Sequence, residues 1–248
     1  MCIDEKRFEA AKNRVIGINR ERQGIGTLSE KTVHAVLKNY YAPDTDMHEI
    51  PIENFVADIF TGAEIIEIQS RSFNAMRRKL ETFLPLYPVT VVYPIPNIKW
   101  LSWIDEESGE TSPKRKSPKK GNPYQAFAEL YKIRPFLKNP NLKFRLDLID
   151  MEEYRLLNGW SKDKKKGSER YDRIPIKFDT EIVIDRREDY MQFIPYELEE
   201  PFTNKDFAKC AKIPARLSGV VLLIMTDLGI VERVGKQGNS YLYHVNEV

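Results

Sequence analysis

The sequence predicts a mixed α/β sheet domain with flanking helices, followed by a small unit of two helices and a β-hairpin. Three observations carry this prediction. A helical pattern near 27–40 precedes β-branched runs at 48–60 and 64–69, then a second helical pattern at 71–84 and an apolar strand at 88–94. That last strand, Pro88 to Pro94, is nearly continuous in apolar residues, as a strand inside a parallel sheet is. From about residue 196 the pattern changes to a short helix, a turn, a strongly apolar helix and two strands. The expected division is therefore 1–195, with a core at about 20–95 and an elaborated middle at 96–195, and then 196–248.

Taking the elements in order, residues 1–26 are mostly polar and charged and end in Gly24-Ile25-Gly26. Thr27-Leu28-Ser29-Glu30 has the form of an N-terminal capping box, with Glu30 three residues after Thr27. Leu28, Val33, Val36 and Leu37 supply the apolar stripe of that helix, and Pro43 with Asp44-Thr45-Asp46 stops it. Residues 48–60 read as two strands with a bend at Glu53-Asn54, and Thr61-Gly62-Ala63 as a tight turn into the strand 64–69. Phe73, Met76, Leu80 and Phe83 recur at helical spacing. In the middle, Trp100 to Ile104 and Ile174 to Ile184 read as strands, and Tyr124 to Tyr131 as a helix. Lys143 to Ile149 alternates like an edge strand, and Asp150 to Leu157 suggests a short helix. At the end, Thr203 caps a helix through Cys210, and Pro214 to Leu228 forms the apolar helix, ended by Gly229. The segment Gly235 to Asn239 turns one strand into the next. Helix, turn, helix and hairpin is the order of a winged helix-turn-helix.

Composition narrows the class. At 248 residues and 42% hydrophobic, the chain buries a core and is not a disordered polyelectrolyte. Its longest apolar stretch, Val220 to Met225, is far short of the roughly 20 residues that span a bilayer. The charged start, Met1 to Arg7, argues against a secretory signal, so the expected location is cytoplasmic. Cys2 and Cys210 cannot build a disulfide framework or a cysteine zinc site, and His34, His48 and His244 are too scattered for a metal-ligand spacing.

Four polar residues stand out by position: Glu30 on the first helix, Asp58 on one strand, and Glu67 and Gln69 on the next. An acid inside a buried strand is costly unless it is paired or bound to a cation. A short turn brings Asp58 and Glu67 side by side, where their mutual repulsion favours a divalent ion, and oxygen ligands favour Mg²⁺ or Mn²⁺. The backbone carbonyl of Ile68 offers a third oxygen, and Glu30 reaches the ion through water. The other reading is an ordinary α/β domain in which both acids pair with nearby Arg or Lys.

The spacing Asp58-x8-Glu67-x-Gln69, with Glu30 upstream and the order helix, three strands, helix, strand, resembles the PD-(D/E)XK nuclease superfamily over about residues 20–95. The resemblance implies a restriction-endonuclease-like fold and metal-dependent hydrolysis of phosphodiester bonds in DNA. Asp58, Glu67 and the Ile68 carbonyl would then hold Mg or Mn, and Gln69 would orient the attacking water. Most members carry lysine at the position of Gln69, and some restriction enzymes resemble this chain in carrying glutamine there. Arg77, Arg78 and Lys79 on the next helix offer either a compensating charge or a solvated basic face.

A net charge of +2 gives no global attraction for nucleic acid, so contact with DNA, or RNA, rests on local patches. Lys114, Arg115, Lys116, Lys119 and Lys120 form one patch, and 160–173 forms a second. Arg216 at the start of the apolar helix and Lys236 in the hairpin are further phosphate contacts. Trp100 and Trp103, just ahead of the first patch, are candidates for base stacking or for the core. Rival functions are a nuclease fold that binds DNA without cutting and a protein-interaction module. A homodimer is a further expectation for an enzyme that cuts two strands.

Overall fold

A computed structural model describes residues 3–21, 32–70, 72–105, 107–157 and 169–247. Helices α1 (Glu5–Glu21) and α2 (Thr32–Tyr41) lead into strands β1 (His48–Ile52), β2 (Phe55–Phe60) and β3 (Ile65–Ile68). Helix α3 (Arg77–Phe83) and strand β4 (Val89–Ile104) follow. The middle contributes β5 (Arg115–Lys116), α4 (Ala126–Leu130), β6 (Leu142–Leu156) and β7 (Glu169–Ile184). The last part holds β8 (Phe202–Thr203), α5 (Asn204–Cys210), α6 (Ala215–Asp227), β9 (Val231–Gln237) and β10 (Ser240–Val245).

The main sheet is mixed and seven-stranded, in the order β1-β2-β3-β4-β6-β7, with β5 added to β4. β1, β2 and β3 form an antiparallel meander, β4 runs parallel to β3, and β6 parallel to β4. The right-handed habit of β-α-β connections accounts for α3 packing between β3 and β4 on one face. Alternate residues of β4 then serve two cores. Val91 joins Phe73, Leu80, Phe127 and Phe144, whereas Val92 joins Phe8, Val36, Leu37 and Phe178. The sheet is thus sandwiched, with α1 and α2 on one side and α3, α4 and the C-terminal helices on the other.

Three expectations change. Lys143 to Ile149 is interior, since β6 pairs with β4 on one side and β7 on the other. Asp150 to Leu156 is strand and not helix, because those two partners supply ladders that local propensity does not anticipate. Trp100 to Ile104 continues β4 beyond a bulge at Pro96–Lys99. At that bulge the buried Asp150 carboxylate accepts hydrogen bonds from Asn97 Nδ2 at 3.0 Å and the Ile98 N–H at 2.9 Å. Helix α1, unread in the polar N-terminus, buries Phe8, Ala11 and Val15, a 3–4 residue stripe.

In the last part, Thr203 and Asp206 form a reciprocal capping box at α5. A two-residue turn, Gly238-Asn239, joins β9 and β10, shorter than the turn expected, and φ of +60° at Gly238 suits glycine. This part shares its core with the sheet: Tyr124 packs edge-on to Phe207, and Arg134 pairs with Asp227. Among the described residues no helix is long and apolar enough to cross a membrane.

Candidate functional site

The site begins with the register of β2 and β3. Their backbone ladder pairs Ile59 with Ile66 and Phe60 with Ile65, which sets Asp58 opposite Glu67. Beyond Ile59 the two strands are joined by side chains. Glu67 Oε1 accepts the Asp58 N–H at 3.2 Å, and Asp58 Oδ2 accepts the Ile68 N–H at 2.8 Å. Each acid therefore replaces a backbone partner of the other strand. The N–H and C=O of one strand residue project to the same side, so the Ile68 carbonyl faces this opening as well.

Each carboxylate also has a basic partner. His34 Nε2 of α2 lies 3.1 Å from Asp58 Oδ2, and Lys79 Nζ of α3 lies 3.0 and 2.8 Å from the two oxygens of Glu67. The acids thus bridge the helices on both faces of the sheet. Burial and the neighbouring charge of Asp58 push the Glu67 carboxyl up to about 7, against the pull of Lys79. Burial also raises Asp58, but the hydrogen bond and charge of His34, the Ile68 N–H and Lys79 outweigh it and leave the carboxyl below its ordinary range. The pair is therefore under-neutralised when both groups ionise. It is not sealed off: Glu67 is 5% exposed, but the side chains of Asp58, His34 and Lys79 are 21%, 22% and 25% exposed.

The donors present fit a hard cation. Two carboxylates in one opening, one of them costly to ionise, match the charge of Mg²⁺ or Mn²⁺, and the Ile68 carbonyl adds an oxygen of the right type. Among the described residues no group of three or more His, Cys, Asp and Glu side chains gathers for a metal, so water would complete the shell, as it commonly does for Mg²⁺. Binding requires Lys79 to yield at least one oxygen of Glu67. Gln69 sits half-buried at the end of β3, its N–H bonded to the Val92 carbonyl at 2.9 Å. Glu30 lies outside the described residues. His34 was read only as one of three scattered histidines, and Lys79 only as a compensating charge or part of a solvated basic face; their common signal is placement on the two helices that flank the acidic strands.

The basic candidates divide. Lys114 pairs with Glu152, Arg115 and Lys116 form β5 opposite Leu101 and Trp100, and Lys119 and Lys120 are exposed. Trp100 and Trp103 are half-buried on β4, and Lys162 and Lys164 to Lys166 lie outside the described residues. Arg216 is exposed in the first turn of α6, and the Lys236 ammonium lies 5.0 Å from the Tyr241 ring centre. Beyond the β4 bulge, the fully buried Glu153 carboxylate holds Lys99 at 3.2 Å, Arg173 at 2.9 Å and Arg155 Nε at 2.7 Å. Burial alone would raise this carboxyl, but Arg173, Lys99 and Arg155 hold it down at about 2.

Residues 31–185 match the family described as a domain of unknown function, DUF8091. The chain belongs to the DUF8091 family. The matched segment contains β1 through β7, and with them both acids, His34, Lys79 and the Glu153 cluster. An uncharacterized protein of Treponema pallidum (strain Nichols) is 28% identical over 148 residues, 59% of this chain. The chain spans only 56% of the length of that relative. No solved structure matches the chain significantly.

Proposed function

We propose that this DUF8091 chain is a metal-dependent endonuclease of PD-(D/E)XK type, hydrolysing phosphodiester bonds in DNA, with a C-terminal winged helix that contacts the duplex. The observation that carries the reading is the reciprocal Asp58–Glu67 arrangement at the open end of β2 and β3, with Lys79 against it. The order α2-β1-β2-β3-α3-β4, with β4 parallel to β3, supports a restriction-endonuclease-like core. The α5–α6 pair followed by the β9–β10 hairpin supports the winged helix, and the exposure of Arg216 and Lys236 leaves both able to reach phosphates.

Asp58, Glu67 and the Ile68 carbonyl would hold a Mg²⁺ or Mn²⁺. When bound, the ion supplies Lewis acidity toward the phosphoryl group and lowers the pKa of water. His34 fixes the Asp58 carboxylate through Oδ2. Lys79, paired with Glu67 in this structure, would on release turn its ammonium to the phosphate and supply the positive charge that Gln69 lacks. Gln69 orients the attacking water by hydrogen bonding alone.

The test uses isosteric variants, D58N and E67Q, on a supercoiled plasmid with Mg²⁺. Each should cut about 10³-fold more slowly than the unaltered chain, the scale of losing one electrostatic stabiliser. Cutting at the original rate by both variants removes the assignment. The bidentate Lys79–Glu67 pair also favours a second reading, in which the same fold grips DNA without cleaving it. Salt-dependent DNA binding without Mg²⁺-dependent cutting is its signature.

A further inference from the structure

Past the bulge at Pro96–Lys99, β4, β6 and β7 continue together as a three-stranded extension. Register fixes what each face carries. Leu101, Glu153 and Arg173 lie opposite one another, as do Trp103, Arg155 and Arg170, and Lys99 lies opposite Met151. Directly opposed residues share a face, so Lys99, Glu153, Arg155, Arg170 and Arg173 stand on the face of Met151. Met151 belongs to the core beneath α1 and α2, so this is also the face of His34. The extension is tied to that helix: Asp172 of β7 accepts from the Thr32 N–H at 3.3 Å and from the Thr32 hydroxyl.

Between α2 and the extension lies a small cleft lined by His34, Ser70, Arg170 and Arg173, together with Val33 and Met151. Its volume is about 20 Å³, room for one water molecule or one phosphoryl oxygen and too little for a base. His34 is the shared wall, since its Nε2 also bonds Asp58. A cleft of oxygen size, lined by two arginines and one residue away from the acidic pair, has the chemistry of a phosphate contact.

We propose that Arg170 and Arg173 form the subsite for the phosphate neighbouring the scissile one, so that the backbone of the nucleic acid runs along the β4–β6–β7 extension. This rests on the nuclease reading for the identity of the polyanion. Glu153 is the positioning residue: it holds Arg173, Arg155 and Lys99 on the contact face. Arg170 is exposed, whereas Arg173 is half-buried on the Glu153 carboxylate, so Arg170 is the residue to alter first.

The experiment measures binding of the full chain to a fluorescein-labelled 20-base-pair DNA duplex, in EDTA to prevent cutting, over a range of NaCl concentrations. Arg170→Gln should weaken binding about tenfold, the scale of one charge-assisted contact, and reduce the slope of log K against log salt by about 1. Arg170→Lys should keep most of the slope while losing affinity, because it retains the charge without the guanidinium fork. Arg173→Lys, which leaves Glu153 a cationic partner, should lose affinity in the same way if it folds with an unchanged melting temperature. Affinity and slope unchanged in Arg170→Gln overturn the subsite, even if the unaltered chain cuts DNA. A steep slope in the unaltered chain that falls in Arg170→Gln supports the subsite, even if no cleavage occurs and the nuclease reading fails.

Discussion

Glu67 accepts hydrogen bonds from Lys79 through both oxygens and from the Asp58 N–H, yet burial and Asp58 keep its carboxyl near 7 rather than 4.5. Between those two values the folded chain binds more protons at Glu67 than the unfolded chain does. The stability this group contributes is therefore complete below pH 4.5 and is lost as pH rises through 7. Asp58 has the opposite sign, its contribution present above 3.8 and lost as pH falls. Glu67→Gln removes the first dependence. Its melting temperature should rise relative to the unaltered chain between pH 5 and pH 8, and Mg²⁺ should reduce the difference at pH 8 by binding only the unaltered chain. Melting curves that stay parallel over this range contradict the burial and repulsion assigned to Glu67. The acidic strand positions were legible because an acid in a β-branched run is conspicuous. Lys79 was legible only as one of three candidate compensating charges on its helix; its pairing with Glu67 was not, because that contact forms only when α3 packs on the sheet.

At the scale of elements, the meander and its flanking helices follow from local pattern, whereas the middle of the chain does not. Met151-Glu152-Glu153-Tyr154-Arg155 is rich in helix formers, and only pairing with β4 and β7 makes it a strand. Asp147 gave β6 the alternation of an edge strand, but it is fully buried and hydrogen-bonded by Tyr41, 106 residues away in sequence. The β4 bulge depends on a contact from outside its own strand. The Gly121 N–H donates to the Asn97 carbonyl at 2.8 Å, and a Cβ there would lie 2.3 Å from the Pro96 carbonyl oxygen. Gly121→Ala must push the loop carrying Lys119 and Lys120 off the bulge. It should cost about 1–3 kcal/mol, the range for overpacking, read as a lower urea midpoint with an unchanged slope. An unchanged midpoint means that the loop is not seated there.

At the scale of the whole molecule, the sheet and the C-terminal helices are one packed body. Tyr124 bonds the Phe193 carbonyl at 2.8 Å and packs on Phe193 and Phe207, so the C-terminal part is anchored on the face of the sheet that carries α3. The acidic pair opens where β2 and β3 part, and the basic extension of β4, β6 and β7 adjoins it through His34. On the proposed reading, the acids would hold the cation and the arginines the neighbouring phosphate, with His34 between them. Isothermal titration of Mn²⁺ into the full chain at pH 8 tests this account most directly. It should find a site of about one ion per chain that disappears in both D58N and E67Q while both variants still unfold cooperatively on heating. Equal Mn²⁺ uptake by all three proteins, or none by the unaltered chain, contradicts it.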